Sequence, residues 1–203
     1  MDRLLAMSRG IDRVSWYAGL VATWAILIVT LLAAGDALMT FGLRPLDAAN
    51  QWLNGYGIGF GFLLDWYRAN SNAVGDSLPL LFAVMVMLGA PWTFKLNGHV
   101  RVDLLYQMHT PRGRIWIDVI GGLVFLLPVC VILFAYTWPW FLHSWQSNEM
   151  STNAGGLPRW PSRLFLPLGF ALLALQGVSE LIKCWAALTT GYVREHIYEK
   201  PVQ

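Results

Sequence analysis

Four long apolar stretches, separated by polar and aromatic connections, set the pattern of this chain. They cover residues 14–34 (VSWYAGLVATWAILIVTLLAA), 78–94, 115–138 (IWIDVIGGLVFLLPVCVILFAYTW) and 164–187 (LFLPLGFALLALQGVSELIKCWAA). Each is apolar all round, as a buried core helix or a bilayer span would be. A helix crosses the hydrocarbon core in roughly 20 residues at about 1.5 Å per residue, and four such runs in 203 residues favour the membrane. The pattern predicts an all-α membrane protein with four transmembrane helices. Pro79 suits the first turn of the second span and Pro167 that of the fourth. Pro128 falls inside the third, where it removes a backbone hydrogen bond and is expected to kink the helix. Gly121 and Gly122 leave room there for a neighbouring backbone.

The connections carry the topology. With both termini in the cytoplasm, ten of the 14 Lys and Arg residues lie inside and four (Arg44, Arg68, Arg159, Arg163) lie outside, as the positive-inside rule requires. Trp16, Trp92, Trp116 and Trp185 then mark the inner boundary, and Trp138, Trp140, Trp145 and Trp160 the outer one. The order becomes a periplasmic loop over 35–77, a cytoplasmic connection over 95–114, a periplasmic loop over 139–163 and a cytoplasmic tail over 188–203, all within one membrane domain. Gly55, Gly57, Gly59 and Gly61 argue against a helix through the middle of the first loop. That loop is either an ordered element resting on the membrane or a partner, or a flexible insert. In the connection KLNGHVRVDLLY (95–106), Val100, Leu104, Leu105 and Met108 can form one side of a short amphipathic helix on the membrane surface. The alternation in HVRVD fits a strand equally well.

Composition sharpens the picture only in part. The chain is 56% hydrophobic and 13% charged, with 11 Trp, about half the charge of a soluble domain. A net charge of +2 and the lack of a basic run point away from nucleic acid. Cys130 and Cys184 lie in apolar runs as small buried residues. Ionisable and amide groups inside spans are functional suspects: Arg114 and Asp118 can pair along one face of the third span, Glu180 and Lys183 lie three apart near the inner end of the fourth, and Gln176 is that span's deepest polar side chain. Their spacing fits interhelical packing, with Lys183 snorkelling to the interface. No carboxylate sits at mid-span to relay a proton or ion. His99, His109, His143 and His196 all lie outside the span interiors, so paired haem ligation is not expected. No nucleophile elbow, HExxH or phosphate loop is present. No enzyme activity and no cofactor are expected.

Three segments carry a family resemblance: GAPWTFKLNGHVRVDLLY (89–106), WIDVIGGLVFLLP (116–128) and the block Ser144-Trp145…Glu149…Gly155-Gly156-Leu157-Pro158. Across residues 70–183 the chain resembles the small membrane subunit, DctQ-like, of tripartite ATP-independent periplasmic (TRAP) transporters. Within that family it looks closest to the branch linked with keto-acid, chloroaromatic or mannitol-type systems. The resemblance implies a multi-pass protein of the bacterial inner membrane and a non-catalytic scaffold. Its partners would be a large membrane subunit holding the substrate and sodium sites, a periplasmic substrate-binding protein and membrane lipids. Its cargo would be organic acid anions. His99, Arg101 and Asp103 would then fix the cytoplasmic connection against the large subunit or lipid headgroups, and Trp145, Glu149 and Arg159 would face the docked binding protein. Residues 43–66 look like a periplasmic insertion relative to the family. The competing reading is a self-sufficient small four-helix transporter or channel, with Thr23 and Thr30 as further polar groups along its path.

Overall fold

The computed structural model describes residues 1–98 and 108–190. Four long helices follow one another: α1 (Asp2–Asn54), α2 (Gly61–Lys95), α3 (Pro111–Gln146) and α4 (Trp160–Thr190). Each contains a window apolar and long enough to cross a membrane. The turns at 55–60 and 147–159 lie at the same end of the helices, and Asn72 Nδ2 of α2 bonds the Ala154 carbonyl (2.9 Å) in the second of them. This is the hairpin end. The opposite end, where α1 starts and α4 finishes, is the terminal end.

The helices outrun the apolar stretches, and the break expected at the loop's glycines is confined to its centre. α1 continues to Asn54 through Pro45, and α2 begins at Gly61. Only Gly55–Phe60 remain as a turn, so the glycines break the helix over six residues rather than over the whole loop. At 1.5 Å per residue α1 is about 80 Å long, far more than the roughly 30 Å hydrocarbon core. The excess forms an antiparallel arm with the start of α2. Tertiary contacts hold it. Tyr67, 6% exposed, donates its hydroxyl proton to Asp36 Oδ1 (2.9 Å) and receives one from Thr40 (2.7 Å). Asn50 Oδ1 accepts the Phe60 N–H (2.8 Å), and Arg68 pairs with Asp47. Residues 43–66 are the tip of this arm.

Two prolines differ from expectation. Pro79 lies inside α2, and Pro167 lies two turns inside α4, which opens at Trp160. Pro128 leaves α3 continuous: Gly121–Leu126 widen into a π segment in which the Leu127 N–H bonds Gly122 O, five residues back. The wider turn relieves the clash between a proline ring and the carbonyl four residues earlier. A side chain at Gly122 would meet Leu181 at 3.1 Å, whereas Gly121 has open space beside it.

At the terminal end, α2 stops where Asn97 takes a left-handed conformation (φ 54°) and the Gly98 N–H returns to Thr93 O (3.0 Å), a helix-ending pattern that suits Asn. α3 starts with Thr110 accepting the Gly113 N–H and Pro111 in its first turn, a favoured N-terminal pair. The core lies among α1, α2 and α4: Ala18, Ala22 and Ala25 meet Val84 and Leu88, flanked by Met85, Phe165 and Leu172. Small α1 residues permit this close packing. Gly19 is the tightest point, since a Cβ there would fall 2.5 Å from the Trp92 ring.

Candidate functional site

Two polar assemblies stand out, one at each end of the apolar core. The first ties α1 to α4. Every third or fourth residue of α1 from Ser8 faces inward, through Asp12, Ser15, Gly19 and Ala22, so the helix presents a polar patch and then an apolar stripe on one face. Opposite it stand Gln176, Ser179, Glu180 and Lys183, one face of α4. Ser8, Ser15, Gln176 and Ser179 are 0–1% exposed.

Proton accounting shows a closed network. Asp12 Oδ1 accepts from Gln176 Nε2 (3.0 Å) and Ser179 Oγ (2.8 Å). Asp12 Oδ2 lies 2.7 Å from Lys183 Nζ, which also reaches Glu180 Oε1 at 2.8 Å. Gln176 Oε1 accepts from Ser15 Oγ at 2.6 Å. With the Ser179 proton committed to Asp12, Ser8 Oγ donates to Ser179 Oγ across 2.7 Å. An ionised carboxylate, an amide and an ammonium thus find partners without leaving a buried charge alone.

The sequence grouped Arg114, Asp118, Gln176, Glu180 and Lys183 as intramembrane polar packing. The structure brings the three α4 residues together, but the second carboxylate on Lys183 comes from Asp12. Arg114 Nε donates to the His109 carbonyl (3.1 Å) at the start of α3, and Asp118 is half-buried one turn further on. Asp12 escaped notice because it precedes the apolar run. The signal was available: Ser8, Asp12 and Ser15 lie on one helical face with Gly19 and Ala22. Thr23 and Thr30, the further polar groups of a channel reading, bond the carbonyls of Gly19 and Ile26 in their own helix, as hydroxyls within helices commonly do.

The second assembly is the loop over 147–159. Met150 and Pro158 form a bridge, and Ser151 N and Arg159 N bond Leu157 O and Glu149 O, so the chain doubles back on itself. Glu149 anchors it. Both its oxygens accept from the Arg163 guanidinium, Oε1 from Nη2 at 2.8 Å, and Arg159 Nη1 lies 3.5 Å away. The Arg163 bonds, with its charge and that of Arg159, hold the Glu149 carboxyl below its usual range. Arg163 stacks over Trp140, 4.4 Å from the ring centroid. Asp76 of α2 secures the other side, accepting from Asn153 Nδ2 (3.0 Å) and Leu157 N (3.1 Å).

This geometry explains the Gly-Gly-Leu-Pro block. Gly155 has φ 71°, a conformation favouring glycine. A Cβ on Gly156 would lie 2.3 Å from Asp76 Oδ2 and 2.6 Å from Ser151 Cβ. The loop therefore closes on α2 only without a side chain there. Between loop and helices a cleft of ≈ 430 Å³ opens, its wall including Asp76, Trp140, Arg159 and Arg163. Trp145 is 53% exposed and meets Trp160 edge-on at 4.4 Å. Of the expected partner-facing residues, Trp145 is exposed, Arg159 is half-buried with its guanidinium near Glu149 and Thr152, and Glu149 is committed to the internal clamp. His99, Arg101 and Asp103, together with the expected amphipathic segment, lie outside the described residues, as does most of the tail.

The fold and these assemblies define a four-helix, multi-pass membrane protein. Residues 74–187 match the family described as tripartite ATP-independent periplasmic transporters, DctQ component, and the chain belongs to that family: it is a small permease subunit of a TRAP transporter. It is 26% identical over 193 residues to the C4-dicarboxylate TRAP transporter small permease protein DctQ of Pseudomonas aeruginosa, covering 85% of this chain and 89% of that protein. No solved structure matches it. The matched region takes in the α4 half of the first network (Gln176, Ser179, Glu180, Lys183) and the Glu149 loop, while Ser8, Asp12 and Ser15 fall before it. It begins at Val74, after the arm.

Proposed function

We propose that this subunit is a non-catalytic scaffold in the bacterial inner membrane, with both termini in the cytoplasm, packed beside a larger sodium-coupled membrane subunit. Together they take up an organic acid anion delivered by a periplasmic binding protein. The C4-dicarboxylates in the name of the Pseudomonas relative belong to that class of cargo. Sodium coupling resides in the large subunit.

One observation carries the reading beyond family membership. The Ala18–Ala22–Ala25–Val84–Leu88 layer separates the polar network at the terminal end from the clamp at the hairpin end. A self-sufficient carrier or channel needs polar groups along a continuous path. Here the buried polar groups of α1 and α4 are used up on one another, which suits a rigid strut. In this orientation the Glu149 loop and the arm face the periplasm, where the binding protein docks, and Trp145 and Arg159 offer the outward contacts.

Reconstitution tests this. Vesicles holding the chain alone should take up no organic acid. Vesicles holding it with its large subunit and binding protein should do so under an inward sodium gradient. Uptake by the chain alone would establish the small-transporter reading instead.

A further inference from the structure

Beside the α1–α4 network, the terminal end has a concavity of ≈ 400 Å³ lined by Arg9, Asp12, Arg13, Trp16, Tyr17 and Lys95. Arg9 and Arg13 stand one turn apart on the exposed side of α1. Lys95, the last residue of α2, faces them and lies 5.3 Å from the Trp92 ring centroid. Among the described residues the two arginines make no ion pair. The one carboxylate in the lining, Asp12, is already matched by Lys183. Three cations thus converge on a hollow whose only anion is spoken for.

The depth of the hollow matters as much as its charge. The apolar run of α1 begins at Val14 and that of α2 ends at Phe94, so the cations sit at the level of lipid headgroups. Trp16 and Tyr17, 44% and 56% exposed and edge-on at 5.0 Å, form the wall toward the bilayer, the level at which amphipathic rings concentrate. Guanidinium groups match phosphate oxygens in geometry and charge. A free phosphate gains nothing from an aromatic wall, whereas a phospholipid lays its glycerol and upper acyl carbons against it.

We propose that this hollow is a binding site for the phosphate headgroup of an anionic phospholipid, held by Arg9, Arg13 and Lys95 with Trp16 and Tyr17 along the glycerol region. Occupancy would pin α1 to the end of α2 at a fixed depth. The inference rests on the membrane boundary and is independent of the transport assembly proposed above.

Native mass spectrometry tests it on the full chain, purified in mild detergent with whatever subunit accompanies it and mixed with equal phosphatidylglycerol and phosphatidylcholine. The unaltered chain should retain phosphatidylglycerol preferentially. The Arg9→Gln/Arg13→Gln double variant should lower that retention about tenfold or more. The Arg3→Gln/Arg112→Gln pair, which removes the same charge at the same end but outside the hollow, should retain the lipid. Lys95→Gln alone, expected to weaken retention less, serves if the double variant loses its helical spectrum. Equal loss in both double variants, or no preference for phosphatidylglycerol, would overturn the site. Displacement of the lipid by excess inorganic phosphate would show a general phosphate pocket and overturn the lipid assignment.

Discussion

The two ends of the bundle handle charge in opposite ways. At the terminal end, Asp12, Glu180 and Lys183 are largely withdrawn from solvent, with side chains 12%, 17% and 13% exposed, and lean on buried serines and an amide. At the hairpin end, Glu149 and Arg159 keep 33% and 40% of their side-chain surface, and of the clamp's three charges only Arg163, at 12%, is as withdrawn; a short loop folds around them. The first arrangement makes each charge dependent on its partner, because a lone charge in a dry helix interface is costly. The second lets water reach Glu149 and Arg159 when a partner is lost. The terminal-end network should therefore set how α1 and α4 dock, and the hairpin-end clamp should set the shape of an outward surface.

The largest expected effect follows from the first arrangement. Asp12→Ala leaves Lys183 with Glu180 alone and should destabilise the chain by about 3 kcal/mol or more, read as a lower melting temperature in detergent. Replacing both charges, as in Asp12→Leu/Lys183→Met, should recover a good part of that loss. If the double variant is as unstable as the two single changes added together, the charges are not coupled and the contrast between the ends collapses.

Next in size is Gly156→Ala. Its methyl group would displace Asp76 or Ser151, with a cost of about 1–3 kcal/mol from overpacking. The effect should be local: protease sensitivity across 147–159 should rise while the α1–α4 contact persists. Loss of the whole fold would mean that the clamp supports the bundle and is not merely a surface feature.

Smaller still is Glu149→Gln, expected to lower the melting temperature by no more than about 4 °C and to do so less in high salt, where exposed pairs are screened. Its pH signature has a defined sign. Because the folded-state pKa of Glu149 is lowered, its contribution is present above the ordinary glutamate value of about 4.3. It is lost as pH falls through the lower folded value. Melting curves of the unaltered chain and the variant should converge in acid and differ by a constant amount toward neutrality. A difference that grows between pH 5 and 7 would contradict the assignment. The internal commitment of Glu149 also changes how uptake data are read: a defect in Glu149→Gln alone reports loop shape, whereas a defect in Arg159→Gln with normal loop protection reports a contact with another protein.

The apolar runs made the four spans legible, since a bilayer demands about 20 apolar residues and little else imitates that. What they could not show is where each helix stops. Residues 35–54 and 61–77 are polar and aromatic, and they stay helical because Tyr67, Asp36, Thr40 and Asn50 meet across the hairpin. Those partners lie 10 to 31 residues apart, beyond any local pattern. Gln176, Glu180 and Lys183 could be picked out as ionisable or amide groups within a span. Asp12 could not be paired with them without knowing that α1 packs on α4. The Glu149 loop was recognisable as a motif, but the reason for its glycines appeared only with Asp76 standing against Gly156.

The scaffold claim is tested most directly by purifying the tagged chain from its native membranes in mild detergent and identifying by mass spectrometry what accompanies it. The account predicts a large polytopic membrane protein in near-equal amount, lost or diminished when the Asp12–Lys183 contact is broken. Recovery of the chain only with itself would contradict the scaffold claim.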